Sequence, residues 1–374
     1  MTAPAKKYDI NSVVSCFLKD EKLIKACVFG GGHINDTYVV KTEDKNGVER
    51  KYTLQRINHN VFKKPWEVME NIINVTVYLS DMIKRDGGDK ERGTLSFLFC
   101  KDGKSYCKDA DGNYWRCYKY IDNARTYQEI EDGKLFYNVG EAFGKFQKYL
   151  ADYPADTLHE TIPLFHNTKD RLNNLRIAVK NDIVGRLREV EPELEKIFKR
   201  ENDTGELVDK LEAGILPLKV THNDTKVNNV LIDDDTKLGV CVIDLDTVMP
   251  GLAAYDFGDA IRVGASTGAE DEKDLSKVNF DIDLYSCFAK GFIGGTGGLL
   301  SKDEIESLPA GARIMTLENG IRFLTDYLNG DTYFKIHRPE HNLDRCRTQL
   351  RMVEHMEREY DEMMRIVREA GKLI

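Results

Sequence analysis

This chain of 374 residues is 41% hydrophobic and 31% charged, and its formal net charge is −9. Such a composition is ordinary for a globular enzyme, and the length suits two lobes or two domains, so folding requires neither disulfides nor a structural metal. The acidic balance and the lack of a basic patch argue against a nucleic-acid-binding protein, and no apolar run approaches the ~20 residues of a membrane span.

The N-terminal part of the chain is predicted to form strands joined by turns. Its strand candidates are short and rich in apolar, aromatic or β-branched residues, and they lie at 24–29, 37–41, 51–57, 95–100 and 114–121. Asn46-Gly47 predicts a hairpin turn between the second and third candidates, because this pair tolerates the positive φ that such turns need. A helix over 65–84 begins at Pro65, since proline suits a first helical turn.

From residue 137 onward the hydrophobic period becomes helical, with Val139, Phe143, Phe146 and Leu150 on one face. Further helices are predicted for segments with the same period, at 168–180, 190–212, 281–293, 303–328 and 341–371. Two short apolar strands, at 230–232 and 240–243, flank a run of three aspartates and predict a β-hairpin inside this helical part.

The order of elements predicts an α+β fold with two lobes. Residues 1–121 would form a small, β-rich lobe with a glycine-rich loop, and residues 122–374 a larger, mainly helical lobe. The eight cysteines show no Cys-x-x-Cys pair and no spacing typical of a zinc site or disulfide framework, so we expect reduced thiols. The N-terminus lacks the apolar core of a signal peptide. We expect a cytoplasmic protein that is a monomer or a weak dimer.

The strongest motif is His222-x-Asp224, with Asn229 five residues after the aspartate. Phosphoryl transfer to a hydroxyl group requires a carboxylate that orients the nucleophile and accepts its proton, and Asp224 is the candidate. Mg²⁺ at the phosphates of ATP requires oxygen ligands, for which Asn229 and Asp244, at the end of the strand candidate 240–243, are suited. The alternative is that Asp224 caps a helix and Asp244 lies in a surface turn.

Three glycines, Gly30, Gly31 and Gly32, lie between two strand candidates. Glycine lets backbone amides approach phosphate oxygens, so these residues predict a nucleotide-binding loop, although any turn would accept them. His33 beside them could reach the substrate or the phosphates, or could be an ordinary turn histidine.

A second aspartate motif, Asp256-Phe257-Gly258, is similar to a magnesium-binding motif of protein kinases. It lies too far beyond Asn229 for that role, which Asp244 already fills. We therefore predict that Asp256 supports the catalytic loop through hydrogen bonds.

These motifs together resemble the aminoglycoside phosphotransferase and choline kinase superfamily. Within it, longer stretches are similar to the N-acetylhexosamine 1-kinases, and they lie at 32–35, 221–231, 243–247, 256–266, 271–278, 322–333 and 339–343. The resemblance runs from about residue 29 to 350. It implies a bilobal, protein-kinase-like fold, with ATP and Mg²⁺, and phosphoryl transfer to O1 of N-acetylglucosamine or N-acetylgalactosamine.

The resemblance also implies roles for single residues. Asp224 would be the base at the sugar O1, Asn229 and Asp244 would bind Mg²⁺, and the sugar would be contacted by Arg322, Tyr333 and His33. Without the resemblance, Arg322 would be interpreted as an exposed helix charge and Tyr333 as a core or rim aromatic. The adenine is expected near residues that follow or end the last strand candidate, namely Tyr118, Tyr120 and Ile121.

The sequence departs from the common kinase pattern at the third strand, where a lysine usually holds the phosphates. Gln55 takes the place of this lysine. We therefore expect another group to hold the phosphates, for example Arg56 or the backbone. Glu67 and Glu70 are possible helix partners for that anchor. Gly31 stands where the family commonly has aspartate, which leaves His33 as the loop side chain to consider.

Two other functions remain open on the sequence alone. One is another small-molecule kinase of the superfamily, acting on an aminoglycoside, choline, homoserine or methylthioribose, although Arg322 in the predicted pocket argues against a cationic substrate. The other is a pseudokinase that binds a sugar or nucleotide, against which the intact Asp224, Asn229 and Asp244 argue. The motifs do not rank N-acetylglucosamine against N-acetylgalactosamine.

Overall fold

The computed structural model describes residues 8–29 and 34–372. It divides the chain into two compact units, Met1–Ala124 and Arg125–Ile374. The first unit is built on an antiparallel sheet and the second is mainly helical, which confirms the predicted α+β, kinase-like fold class. Gly30, Gly31, Gly32 and His33 lie outside the described residues, so their roles stay predictions. No helix in the described ranges has the length and apolarity needed to cross a membrane.

The first unit contains one five-stranded sheet with the order β1-β2-β3-β5-β4. Its strands are β1 (Glu21–Val28), β2 (Asp36–Asp44), β3 (Glu49–Ile57), β4 (Cys107–Lys108) and β5 (Tyr114–Lys119), and its helices are α1 (Ile10–Phe17), α2 (Pro65–Arg85) and α3 (Lys90–Gly93). The predicted hairpin between β2 and β3 is confirmed. Gly47 has φ +80°, and the Asp44 carboxylate accepts hydrogen bonds from the N–H groups of Asn46 and Val48.

One strand prediction for this unit was wrong, and one helix was missed. The segment 95–100 is not a strand; within it, only Phe97 forms a bridge, to Tyr118, and β4 takes the next position along the same edge of β5. Helix α1 was not predicted. It is short, and it is held by the Asp9 N-cap and by burial of Val13 and Phe17.

The second unit contains nine α-helices within the described residues. They are α4 (Gly133–Tyr149), α5 (Thr168–Asn181), α6 (Glu191–Phe198), α7 (Glu206–Glu212), α8 (Ala253–Gly264), α9 (Ile282–Gly295), α10 (Lys302–Leu328), α11 (His341–Arg358) and α12 (Tyr360–Lys372). Strand β6 (Ala124–Arg125) spans the boundary between the two units, and the short strands of the second unit are β7 (Lys219–Thr221), β8 (Val230–Asp233), β9 (Gly239–Val242) and β10 (Met249–Gly251). Strands β8 and β9 form the predicted hairpin, and β7 pairs with β10.

Two predicted helices are in fact broken. The segment 190–212 contains α6, a 3₁₀ turn and α7, and the segment 341–371 is interrupted at Glu359 between α11 and α12. The first break has Gly205 directly before α7, a local signal that the prediction did not use. The second break has no proline or glycine where α12 begins, so the sequence carries no clear stop signal there.

Helix α8 was missed, although Asp256, Asp259 and Arg262 recur at helical spacing. Eleven of its twelve residues are buried, because its polar side faces the rest of the protein instead of solvent. Gly258 lets α8 contact the backbone of α10, since a Cβ at this position would lie 2.3 Å from the Gly311 carbonyl oxygen. Helix α8 is thereby fixed directly behind the loop between β7 and β8, which carries the principal motif.

Candidate active site

His222 fixes the start of the catalytic loop, which we define as residues 222–229 between β7 and β8. Its side chain is fully buried against the rings of Phe143 and Phe146. The Nδ1 atom of His222 accepts a hydrogen bond of 3.2 Å from the Asp224 N–H, so Nε2 carries the proton. Nε2 donates it to the Ile243 carbonyl oxygen at 2.8 Å. The imidazole therefore joins the catalytic loop to the residue before Asp244.

Asn229 makes a second link to the same segment. The Ile243 N–H donates to the Asn229 carbonyl oxygen at 2.9 Å, and the next residues, Val230 and Val242, are paired in the β8–β9 hairpin. The hairpin thus brings Asn229 and Asp244 together, as the order of motifs predicted. Asp244 is exposed, with φ +60°, a left-handed conformation that few residues other than glycine adopt and that is often found at functional sites.

Asp224 is held from both sides by polar groups. The Asn229 side-chain amide donates to the Asp224 backbone oxygen at 2.8 Å and to its Oδ2 atom at 3.2 Å. The Lys226 ammonium group lies 2.6 Å from Oδ1. Burial is the largest single effect and would raise the pKa of Asp224, but Lys226, together with His222 and Arg262, lowers it overall, so the carboxyl group is ionised at neutral pH.

Lys226 was overlooked in the sequence, although it stands only two positions after the candidate base. The charge of Asp224, more than the opposing effect of burial, raises the pKa of Lys226. The site therefore holds a permanent positive charge beside the carboxylate, where a phosphoryl group would have to approach.

Asp256 supports the catalytic loop, as predicted. Its carboxylate is almost completely buried and accepts hydrogen bonds from the N–H groups of His222 at 3.0 Å and Asn223 at 2.8 Å, and from the Gln147 side chain at 2.6 Å. Burial raises the pKa of Asp256. Because these donors would otherwise be unpaired in the interior, Asp256 fixes the backbone before the candidate base.

Asp259, one turn later on α8, holds the middle of the loop. Its Oδ2 atom accepts from the Thr225 N–H at 3.0 Å, and its Oδ1 atom accepts two hydrogen bonds from the buried Arg262 guanidinium at 3.0 and 3.1 Å. Arg262 also donates to Glu270 at 2.7 Å. The missed helix α8 therefore carries both acidic supports of the loop.

A buried histidine–glutamate pair connects the loop to α10. His166 Nδ1 lies 2.9 Å from Glu318 Oε1, and the Thr168 hydroxyl group donates to Glu318 Oε2 at 2.7 Å. His166 Nε2 lies 3.3 Å from the Asn223 carbonyl oxygen. Burial is the largest single effect and would raise the pKa of Glu318, but His166, together with Arg322 and Thr168, lowers it overall. Arg322 lies one helical turn after Glu318 and so belongs to the same side of α10.

The structure brings Arg322 and Tyr333 together around one aromatic ring. The Arg322 guanidinium carbon lies 5.5 Å from the centre of the Phe334 ring and 5.3 Å from that of Phe165. The Tyr333 ring meets Phe334 edge-on, with 4.8 Å between centroids, and Tyr333 is 63% exposed. Arg322 is partly buried, so it is not the freely exposed helix charge that the sequence alone would indicate.

Asp326 fixes the turn that carries Tyr333. It lies one helical turn after Arg322, is 4% exposed, and accepts the backbone N–H groups of three successive residues. Oδ1 accepts from Thr332 at 2.9 Å and Tyr333 at 2.8 Å, and Oδ2 accepts from Phe334 at 2.9 Å. The Asn342 side chain donates to Oδ2 as well, at 2.9 Å. One carboxylate therefore sets the position of Tyr333 relative to α10.

The residues predicted to contact the adenine all lie in the first unit. Tyr118 is buried in β5, Ile121 is buried just after that strand, and Tyr120 lies edge-on to Phe29. Their contact with a nucleotide stays a prediction.

A cation that the sequence did not indicate lies opposite the third strand of the sheet. Gln55 on β3 lies opposite Arg116 on β5, and the buried Arg116 donates to Gln55 Oε1 at 2.9 Å. Arg56 instead pairs with Asp36 at 2.6 Å. Glu67 pairs with Lys64 at the start of α2, and Glu70 is exposed. Arg116 is thus a positive charge in direct contact with Gln55, the residue at the place where kinases usually carry lysine.

Residues 97–281, about half of the chain, match the model of the phosphotransferase enzyme family APH. This match places the chain in the APH phosphotransferase family. The matched segment includes the catalytic loop, Asp244 and α8, whereas Arg322 and Tyr333 lie beyond it.

Solved structures of APH phosphotransferases and related kinases share the fold. An aminoglycoside phosphotransferase from Alicyclobacillus acidocaldarius is 12% identical with a TM-score of 0.57, over 100% of this chain and 98% of that one. Choline kinase from Cryptosporidium parvum is 14% identical with a TM-score of 0.55, over 92% of each chain. The GDP complex of aminoglycoside 2′-phosphotransferase-IIIa is 12% identical with a TM-score of 0.58, over 91% and 97%.

The donor set of the site fits a magnesium ion. Mg²⁺ is usually bound by one or two protein oxygen ligands, with water and phosphate oxygens completing its shell. Asp244 and Asn229 offer a carboxylate and an amide oxygen on adjoining segments. Within residues 8–29 and 34–372, no group of three or more His, Cys, Asp or Glu residues could hold a metal ion by itself.

Proposed function

We propose that this APH phosphotransferase transfers the γ-phosphoryl group of ATP to the anomeric hydroxyl group of an N-acetylhexosamine. The products would be ADP and the sugar 1-phosphate. The observation that carries the reaction type is the ionised Asp224, fixed between Lys226 and Asn229, with Asp244 on the adjoining segment. The sugar assignment is supported by the resemblance to N-acetylhexosamine 1-kinases and by the proximity of Arg322 and Tyr333.

Asp224 acts on the acceptor hydroxyl group in this proposal. Its carboxylate accepts a hydrogen bond from O1–H and orients O1 for in-line attack. The bond from O1 to the γ-phosphorus forms as the bond from that phosphorus to the ADP oxygen breaks, and the O1 proton passes to Asp224 late in the step. Lys226 keeps Asp224 ionised and places positive charge beside the phosphoryl group. Asn229 and Asp244 would hold Mg²⁺, which neutralises charge on the phosphates.

The acceptor pocket suits a neutral, hydroxyl-rich substrate better than a cation. A guanidinium group and a phenol offer donors for sugar hydroxyl groups and an N-acetyl carbonyl. Burial and then the nearby Arg322 guanidinium lower the pKa of Arg171, which places two arginines in the same region. A cationic acceptor such as choline or an aminoglycoside would be repelled there.

The test is an ADP-release assay with Mg²⁺ and ATP. The acceptors are N-acetylglucosamine, N-acetylgalactosamine, the 1-O-methyl glycoside of each, choline and an aminoglycoside. We expect turnover with the free sugars and none with the methyl glycosides, in which O1 is blocked. Turnover with choline or the aminoglycoside alone would be consistent with the proposed roles of the catalytic residues, but it would show that the acceptor is not an N-acetylhexosamine. No turnover with any acceptor would favour a protein that only binds its ligands.

Asp326→Asn is expected to raise KM for the sugar by about tenfold, since an unsatisfied buried hydrogen bond costs ~1–3 kcal/mol. The asparagine NH₂ group would face backbone donors, so the Tyr333 turn would shift. KM for ATP should change less than about twofold, because none of the contacts of Asp326 involves the catalytic loop. Initial rates at varied sugar and ATP concentrations measure both constants.

Asp331→Asn is the matched control for this prediction. Asp331 lies in the same turn and accepts from Arg186 and Asn342, but it makes no hydrogen bond to the Tyr333 backbone. Equal increases of the sugar KM in both variants would mean that the turn contributes only stability.

A further inference from the structure

The peptide group between Asn223 and Asp224 is held at both ends by histidine side chains. Its N–H, which belongs to Asp224, donates to His222 Nδ1 at 3.2 Å. Its carbonyl oxygen, which belongs to Asn223, lies 3.3 Å from His166 Nε2. A carbonyl oxygen can only accept a hydrogen bond, so Nε2 of His166 is the donor. Because a peptide group is planar, these two contacts fix the direction in which the chain enters the candidate base Asp224.

Asn223 adopts a conformation that other contacts must maintain. Its φ is +63°, in the left-handed region that few residues other than glycine adopt, although asparagine tolerates it. The Asn223 N–H donates to Asp256 at 2.8 Å, and its side-chain amide donates to the Thr247 carbonyl oxygen at 2.9 Å. These contacts hold the N–H and the side chain of Asn223, and the contact with His166 holds its carbonyl group.

The His166 ring is itself fixed in a buried position. His166 is 6% exposed, and its ring packs against that of Tyr255, with 5.3 Å between centroids. Its Nδ1 atom lies 2.9 Å from Glu318 Oε1, and the Thr168 hydroxyl group donates to Glu318 Oε2 at 2.7 Å. A rotation of the ring would leave buried polar groups without partners, so the ring holds the Asn223 carbonyl group from a fixed place.

Phe165, the preceding residue, connects the same segment to the proposed acceptor site. Its ring centre lies 5.3 Å from the guanidinium carbon of Arg322, which follows Glu318 by one turn of α10. We propose that His166 is a positioning residue for Asp224, and that Phe165 and His166, which we call the bridge, link the position of Arg322 to that of the base. The link rests on the proposed function, in which Arg322 contacts the acceptor.

Two amide substitutions of His166 separate its two contacts. An asparagine amide nitrogen would take the place of Nδ1, so His166→Asn can keep the contact with Glu318 but loses the one with Asn223. A glutamine amide nitrogen would take the place of Nε2, so His166→Gln keeps the donor to Asn223. We expect kcat to fall by ~10–100-fold in His166→Asn, since small displacements of a catalytic group can cost about 10²-fold. In His166→Gln, kcat should stay near that of the unchanged protein.

A purely structural role of His166 would not distinguish the two variants. Each loses one buried hydrogen bond, so both should unfold at a lower temperature, and the folded fraction of each would then have the same kcat. Equal kcat values would therefore overturn the proposal. The rates are measured with the acceptor that turns over in the ADP-release assay. An acceptor other than an N-acetylhexosamine would overturn the proposed substrate, and the comparison of kcat would still decide the role of His166.

A second pair of variants tests the bridge without removing a buried polar group. The rings of Phe165 and Phe334 both contact Arg322, at 5.3 and 5.5 Å, but Phe334 belongs to the turn that carries Tyr333 and is not adjacent to His166. We expect Phe165→Leu and Phe334→Leu each to raise KM for the acceptor severalfold, and Phe165→Leu also to lower kcat severalfold. The same kcat in both variants would contradict the bridge, even if neither His166 variant folds.

Discussion

Asp224→Asn is expected to lower kcat by at least about 10²–10⁴-fold, which is the range that general-base catalysis contributes. The amide keeps the shape of the side chain but cannot take the O1 proton, and it leaves Lys226 without its ion pair. KM for ATP should change little, because the proposed metal ligands Asn229 and Asp244 remain. Steady-state kinetics with the acceptor identified by the ADP-release assay measures both effects.

The control for Asp224→Asn is the thermal unfolding of the variant. Asp224 and Lys226 are both partly exposed to solvent, so the folded structure should tolerate loss of their ion pair. A variant with an unchanged unfolding transition and kcat near that of the original protein would remove Asp224 from the role of base.

Asp244→Ala is expected to weaken Mg²⁺-dependent ATP binding by on the order of 10²-fold or more. Loss of a residue that only orients a metal ligand commonly costs 10–100-fold, and Asp244 is proposed to be a ligand itself. Binding of the sugar should be almost unaffected. Titration calorimetry with ATP, in the presence and absence of Mg²⁺, measures how much Mg²⁺ increases the affinity for ATP. We expect this increase to disappear in the variant.

The backbone at Asp244 requires a second variant. Alanine is less suited than aspartate or asparagine to the left-handed conformation, so Asp244→Ala also strains the chain. Asp244→Asn keeps a side chain that tolerates this conformation while removing the charge, and we expect it to lose most of the Mg²⁺ dependence too. ATP affinity in Mg²⁺ that survives both substitutions would show that another residue holds the metal.

The sequence predicted those parts of the molecule whose signals are local. The β2–β3 and β8–β9 hairpins were predicted from turn residues and short apolar runs, and the central motif from the spacing of Asp224, Asn229 and Asp244. Helix α8 was missed although Asp256, Asp259 and Arg262 recur at helical spacing, since its polar side faces the catalytic loop instead of solvent. The break at Glu359 has no local signal.

The residues that position the catalytic loop and the Tyr333 turn act through contacts between distant parts of the chain. The spacing of residues in the sequence does not reveal such contacts. His166 and Glu318 are 152 residues apart, and Asp326 meets the Tyr333 backbone only because the chain turns back after α10. Lys226 is a different case, since it lies inside the motif and its charge and position were visible. Arg116 also required the structure, because its position opposite Gln55 follows from the pairing of β3 with β5.

The two hydrogen bonds made by the Ile243 peptide have a consequence for the timing of catalysis. One bond goes to the His222 ring and the other to the Asn229 carbonyl oxygen, so the candidate base and both proposed metal ligands are built into one preassembled frame. Because these groups are already in position, little conformational entropy is lost in ordering them when the ligands bind. The turnover rate would then be governed by the arrival of the acceptor and the departure of products, and little by rearrangement of residues 222–244.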